Sequence, residues 1–327
     1  MSAKPVFFIP EFREPRETLR RLLSPYGEIR DGGARKWSEA ELLRDAKGWD
    51  ALIVTSREQI TAPIIETAEK LRIIAKIGVG VENIDIPAAT RRGVPVVNCP
   101  GSNAVSVAEM ALGLILAAVR EIPQGMENLR RGHWRDKVNI RWELTGATFG
   151  IVGFGNVGRQ LARLLRGFEG RILAYDAFLS PERVRAGGAE PADLDTLTRE
   201  SDIVSIHCSL TPETRHMFGA ARLRMMKRRA ILVNCARGAV IDEAALVRAL
   251  REGVIAGAGL DVFEEEPASK DTPLFSLPNV VFTPHQAGAT HQARERINEM
   301  AADGVLRALR GERPDASMLL NPEVYKA

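Results

Sequence analysis

The sequence is short of cysteine, of surplus charge and of long apolar runs, and each shortage excludes a class of function. Cys99, Cys208 and Cys235 are far apart and form no Cys-x-x-Cys or Cys/His spacing, so neither a disulfide frame nor a metal site is expected. Lys and Arg number 45 against 42 Asp and Glu, a formal net charge of +3. So even a balance does not suit a polyanion-binding surface, and no nucleic-acid partner is expected. The longest apolar run, Met110–Val119, stops at Arg120-Glu121. It falls far short of the ~20 residues that span a bilayer, so no membrane association is expected. The stretch Met1–Pro10 is too short and too interrupted by proline for a signal peptide, which makes the cytoplasm the expected location. Internal repeats and low-complexity tracts are lacking as well. What remains is 327 residues with 45% hydrophobic content, enough for two cores at about 150 residues per domain.

Short β-branched runs alternate with helical stretches from the start. Val6–Ile9, Ala51–Val54, Leu71–Ala75 and Val94–Val97 read as strands, and Ser38–Ala46 and Ala62–Lys70 as helices between them. Six more runs follow, at Thr148–Val152, Arg171–Tyr175, Asp202–Ile206, Ala230–Asn234, Ile255–Leu260 and Val280–Phe282. This alternation predicts an α/β fold with two open parallel sheets, the second with more strands than the first. Pro and Gly near Asn98–Gly101 mark a linker. A turn-rich stretch, Thr283–Gly288, precedes a long helix over about Thr290–Arg310. If that helix returns to the first sheet, one domain is residues 1–99 plus 288–327 and the other is 100–287. The helix at Ala108–Val119 is apolar on nearly every face and is expected to be buried all round, either within one subunit or partly by a second, which predicts a homodimer.

Gly153-Phe154-Gly155-Asn156-Val157-Gly158 follows an expected strand and opens an expected helix, Val157–Arg166. The next strand ends at Asp176, eighteen residues beyond Gly158. Together these match a dinucleotide fingerprint. Gly153 permits the tight turn, Gly155 admits a pyrophosphate to the backbone, and Gly158 lets helix and strand pack closely. The helix N-terminus adds positive potential. Asp176 can accept from ribose hydroxyls but repels a 2′-phosphate, and Ala177-Phe178-Leu179 supplies no cation to offset it, so NAD is expected rather than NADP.

Five further segments carry a family resemblance. They are Gly78–Asp85, Asn98–Asn103, Asn234–Gly238, Asp261–Pro267 and Thr283–His285. With the glycine motif they make the chain resemble the D-2-hydroxyacid dehydrogenase family over essentially its whole length. The phosphoglycerate dehydrogenase and hydroxypyruvate reductase branches look nearest, without a C-terminal regulatory extension. The resemblance implies a Rossmann NAD-binding domain and a discontinuous flavodoxin-like substrate domain with the active site in the cleft between them. It also implies interconversion of a small D-2-hydroxy acid and its 2-keto acid.

The family's catalytic trio falls on Arg237, Glu266 and His285. The chemistry suits these residue types: hydride loss from an alcohol leaves a proton for a base, and the reverse reaction needs the same group as an acid. Histidine titrates near neutrality, and a partner carboxylate orients its ring and stabilises the imidazolium. A guanidinium grips a carboxylate with a planar fork and polarises the neighbouring carbonyl. The resemblance further implies that the Val79 and Gly80 amides bind the substrate carboxylate, although those residues also suit a plain tight turn. Asn156 and Val157 would face the pyrophosphate. Asp261 would face the nicotinamide amide or simply cap a turn. Cys208, Cys235, Ala236 and Gly288 would line the cofactor. His133, His207, His216 and His291 match no catalytic position of the family and read as structural or exposed.

Two alternatives remain at this point. A formate dehydrogenase-like enzyme would carry Gln where Glu266 stands, and an NAD-sensing corepressor-like binding protein would be expected to carry interaction tails. Phosphoglycerate dehydrogenases commonly place an Arg directly after the strand corresponding to Leu52–Val54. Here Thr55 holds that position and the Arg is Arg57, which leaves phosphorylation of the substrate open.

Overall fold

The computed structural model describes residues 4–10, 17–33, 35–135 and 139–326. Met1–Ala3, part of the stretch read above for a leader, lie outside them. The chain forms two compact units, Met1–Asn103 with Thr290–Ala327, and Ala104–Ala289.

The first unit is built on β1 (Val6–Ile9), β2 (Glu28–Asp31), β3 (Ala51–Val54), β4 (Ile73–Lys76) and β5 (Val96–Val97). All pair in parallel, in the order β2-β1-β3-β4-β5. Every residue of β3 and β4 is buried, as expected of central strands covered on both faces. The edge strand β2, Glu-Ile-Arg-Asp, buries none and was not anticipated from the apolar pattern. Helix Glu39–Asp45 starts at Ser38 through a capping box with Glu41. Helix Ala62–Thr67 stops short of the expected Lys70, because Ala68 leaves helical backbone geometry. The helix His291–Leu309, capped by Thr290, lays Ala301, Ala302 and Val305 into the same core as Phe7, Ile9, Ala51 and Ile73. The carboxyl-terminal segment thus covers a face of the sheet that the amino-terminal segment forms.

The second unit contains β6 (Thr148–Val152), β7 (Arg171–Tyr175), β8 (Glu190–Pro191), β9 (Ile203–Ile206), β10 (Ile231–Asn234), β11 (Gly257–Leu260) and β12 (Val280–Phe282). Its order is β12-β11-β10-β9-β6-β7-β8, parallel throughout. Chain order reverses between β6 and β9, so the loops at their carboxyl ends diverge and open a crevice at that switch point. Two cores, one on each face, hold the sheet.

The helix expected over Ala108–Val119 runs from Ala104 to Val119, and it is not buried all round within one subunit. Ala108, Ala111, Leu114 and Ile115 pack into the core with Phe149, Ile151 and Val233. Val105, Glu109 and Gly113 are exposed and Leu112 and Leu116 half-buried, because the sheet and its neighbouring helix cover only one side. The next helix, Ile122–Arg130, has no buried residue at all, and its Ile122, Met126 and Leu129 form an exposed apolar stripe. Among the described residues, no helix is long and apolar enough to cross a membrane. Nor does any His/Cys/Asp/Glu group among them suit a metal ion.

Candidate active site

The glycine loop sits where β6 runs into the helix Asn156–Leu165. Each glycine meets a different demand. Gly153 has φ +89°, and a Cβ there would stand 2.5 Å from the Cys208 nitrogen at the end of β9. A Cβ on Gly158 would stand 2.3 Å from the Gly153 carbonyl oxygen. Gly155 differs: a Cβ there would meet nothing within 4 Å. Its bare backbone faces open space at the start of a ten-residue helix, the cradle that a pyrophosphate requires. Asn156 and Val157 are the first two residues of that helix.

Asp176 directly follows β7. One carboxylate oxygen accepts from the Phe154 N–H at 2.8 Å, the other from Phe178 and Leu179 N–H at 2.9 and 3.2 Å. A carboxylate has about four lone-pair directions, so three bonds leave about one for an outside hydroxyl. The side chain therefore ties the glycine loop to the end of β7, a role its position beyond the motif did not reveal.

Toward the other side of the switch point, β10 ends in the buried Asn234. Its side-chain oxygen accepts from the Ala236 N–H at 3.0 Å and its amide donates to the Arg237 carbonyl at 2.9 Å. These two bonds close the Cys235–Arg237 loop and present Arg237, whose guanidinium donates to the Ala236 carbonyl. Next comes Gly238, where a Cβ would lie 1.9 Å from the Phe263 carbonyl carbon. Only a glycine admits the Phe263–Glu266 loop so close to the Arg237 loop.

Glu266 and His285, nineteen residues apart, meet with Glu266 Oε2 2.6 Å from His285 Nδ1. The other carboxylate oxygen accepts from the Phe263 N–H at 3.0 Å. The Glu266 hydrogen bond raises the His285 pKa above the ordinary imidazole value; partial burial and the Arg237 charge oppose this, and the Asp261 charge adds to it. Burial works against ionisation of Glu266, but the bonds from His285 and Phe263 and the nearby Arg237 charge leave its pKa below the usual carboxylate value. The pair is thus biased toward imidazolium and carboxylate.

His285 has a left-handed backbone, φ +49°. Its N–H donates to the Asp261 carbonyl at 2.7 Å. The buried Asp261 carboxylate accepts from the Thr283 hydroxyl and from the Gln286 and Ala287 N–H at 3.0 and 2.9 Å. Asp261 therefore caps the turn that carries His285, and Gly288 follows in the same turn region. Cys208 and Cys235 stand just beyond β9 and β10. Burial pushes the Cys208 thiol up to about 11 and raises Cys235 too, so neither is a thiolate near neutrality.

In the first unit, Val79 and Gly80 lie in the loop after β4. Lys76 donates to the Asn83 side-chain oxygen at 2.8 Å, and the Asn83 amide donates to the Thr55 and Glu58 carbonyls. These bonds tie the loops after β3 and β4 together.

Two residues of the edge were not singled out from sequence, Asn234 and Gly238, whereas His207 was read as structural or exposed. His207 directly follows β9 and bonds Ser205 Oγ through Nε2 at 2.8 Å, while its shielded Nδ1 has no partner among the described residues. Burial lowers its pKa to about 4, so the ring is neutral. Both Asn234 and Gly238 lie inside the segment that carries the family resemblance, and that was the available signal.

Residues 112–287 match the model of the NAD-binding domain of D-isomer specific 2-hydroxyacid dehydrogenases, and the chain belongs to this family. Its second unit is that NAD-binding domain. The chain is 44% identical to the glyoxylate reductase of Korarchaeum cryptofilum over 88% of each chain. It is 43% identical to the D-3-phosphoglycerate dehydrogenase of Methanocaldococcus jannaschii over 90% of this chain and 56% of that one. The chain thus spans little more than half the length of the phosphoglycerate dehydrogenases it matches. Among solved structures, the D-lactate dehydrogenase of Aquifex aeolicus, complexed with NAD and lactic acid, matches with a TM-score of 0.85 at 26% identity, covering 97% of this chain and 99% of that one.

Proposed function

We propose that the protein is an NAD-dependent dehydrogenase interconverting a short D-2-hydroxy acid and its 2-keto acid, with His285 as acid/base. The observation that carries this reading is the 2.6 Å contact between Glu266 and His285 at the sheet edge that also presents Arg237. Bound at the glycine loop, NAD supplies the hydride acceptor for the alcohol and, reduced, the hydride donor for the ketone. The protein's own groups handle what is left. With Nδ1 engaged by Glu266, His285 has Nε2 for the substrate oxygen. It takes the hydroxyl proton during oxidation and returns it during reduction. Glu266 stabilises the imidazolium, and Arg237 holds the carboxylate and stabilises negative charge on the carbonyl oxygen. The family resemblance also assigns the Val79 and Gly80 amides to the substrate carboxylate, and Asp261 and the Cys208, Cys235, Ala236 and Gly288 positions to the nicotinamide end.

Relatives named glyoxylate reductase, and Thr55 in place of an Arg after β3, favour a small unphosphorylated substrate such as glyoxylate or hydroxypyruvate. The assembly is inferred to be a cytoplasmic homodimer, a reading supported by the exposed Ile122, Met126 and Leu129 stripe and the uncovered side of Ala104–Val119. The test is NADH oxidation against glyoxylate, hydroxypyruvate, pyruvate and 3-phosphohydroxypyruvate. Turnover of one or more 2-keto acids, lost in His285→Ala, supports the reading. NADH binding without turnover of any of them refutes it.

A further inference from the structure

We propose that Glu264 is a positioning residue for the acid/base pair: with Glu243 and His216 it clasps the Phe263–Glu266 loop to the segment that follows Arg237. The proposal rests on the reading of His285 as acid/base.

The clasp joins three segments distant in sequence. The Glu264 N–H donates to the Glu243 carboxylate, and the Glu243 N–H lies 3.5 Å from the Glu264 carboxylate in return. Glu243 is the first residue of the helix Glu243–Arg251, just beyond the turn that follows Arg237. The third member, His216, places Nε2 2.5 Å from the other Glu264 oxygen. Its backbone is anchored as well, since the His216 N–H donates to the Ala239 carbonyl and the Phe218 N–H to the Val240 carbonyl. So His216 is fixed to the same turn that Gly238 begins, the turn packed on the Phe263 backbone.

This arrangement works against a repulsion. Glu264, Glu265 and Glu266 are consecutive, and Glu243 adds a fourth acid; burial, together with those three charges, raises the Glu243 pKa. Like charges of three consecutive acids and a fourth repel one another and weaken the closed loop. The reciprocal bonds and His216 hold it closed. The consequence reaches the chemistry because Glu266 is itself tied by Phe263 N–H within the same loop, so where the loop sits decides where Glu266 Oε2 meets His285. The charged groups on His285 itself are Glu266, Asp261 and Arg237, and Glu264 acts on it only through Glu266.

The test is an NMR titration of the His285 ring in the full-length protein, its resonance assigned by its loss in His285→Asn. In Glu264→Ala and in Glu243→Ala the ring is expected to bind its proton about three- to tenfold less tightly, the loss of part of one charge-assisted hydrogen bond. The double variant should fall no further than either single one, because both remove the same clasp. Glu265→Ala removes an equal charge from the same loop but no clasp bond, and its titration should match the unmodified protein. An unmoved His285 titration in folded Glu264→Ala overturns the proposal, as does an equal fall in Glu265→Ala. If Glu264→Ala does not fold, Glu264→Gln keeps the volume and one acceptor; a smaller fall supports the clasp and no fall overturns it. No substrate enters this readout. Failure of every 2-keto acid would therefore refute the functional reading alone, and an unmoved titration would refute the clasp alone.

Discussion

A single added methyl group should separate what the three motif glycines do. At Gly155 the backbone has φ −73°, and a Cβ meets nothing within 4 Å, so Gly155→Ala introduces neither left-handed strain nor a clash. Its effect on the free protein should stay within about 1 kcal/mol, or roughly 2–4 °C in Tm. The same methyl occupies the space that the pyrophosphate needs in order to reach the helix N-terminus. Losing one charge-assisted hydrogen bond there costs about 1.5–3 kcal/mol, so the Kd for NADH should rise about 10- to 100-fold. Gly158→Ala places its methyl 2.3 Å from the Gly153 oxygen, which forces helix and strand apart. That overpacking should cost about 1–3 kcal/mol and lower Tm by roughly 2–12 °C before any cofactor is added. Thermal unfolding of the cofactor-free protein and quenching of its fluorescence by NADH measure the two effects separately. A Gly155→Ala protein that unfolds many degrees early yet binds NADH normally would refute the assignment of the space in front of Gly155.

Four other outcomes follow from the same geometry. Glu266→Gln keeps a hydrogen bond but removes the main cause of the raised His285 pKa, so 2-keto acid reduction, which needs imidazolium, should be lost at lower pH as pH rises; at a fixed pH above that point it should run about fivefold slower, from a difference of about 1 kcal/mol between charged and neutral hydrogen bonds. His285→Ala should abolish most turnover with NADH affinity nearly intact, whereas Arg237→Ala should raise KM and lower kcat together, as steady-state kinetics and NADH titration will show. Asp176→Ala removes the acceptor of three backbone N–H groups, so calorimetry should find a lower Tm as well as weaker NAD binding and a narrower gap to NADP. Replacing Met126 and Leu129 with Glu should shift a dimer toward monomer in light scattering, and an unmodified protein that is already monomeric at micromolar concentration would sink the assembly reading.

Apolar patterning made the sheets legible where burial dictates composition. Thr148–Val152 and Arg171–Tyr175 could be read to the residue because strands inside a parallel sheet are covered on both faces, which leaves the middle residues of each buried and free of charge. Glu28–Asp31 was invisible for the opposite reason, since Ile29 is its one apolar residue on the core and none of its residues is fully buried. The two-residue β8 is too short for any periodicity. At the site, local spacing reached the glycine loop and Asp176, but not the meeting of Glu266 with His285 or of Glu264 with His216. Those pairs are 19 and 48 residues apart and depend on how neighbouring strands end side by side. The first was anticipated only through the family resemblance, and the second had no sequence signal. Asp261 was weighed as a turn cap, yet its bonds to residues 283, 286 and 287 required the folded loop.

On the acid/base role proposed for it, the left-handed backbone of His285 places folding and turnover in competition at one residue. A side chain other than glycine pays about 1–2 kcal/mol in that conformation, a penalty that asparagine eases by bonding locally and glycine escapes. The turn keeps the conformation because the Asp261 carbonyl and carboxylate hold it from beneath, whichever side chain stands at 285. Selection for thermal resistance alone would therefore drift toward Gly or Asn at this position and yield a sturdier, inert protein. On the proposed role, a histidine at this position answers to a constraint opposed to stability.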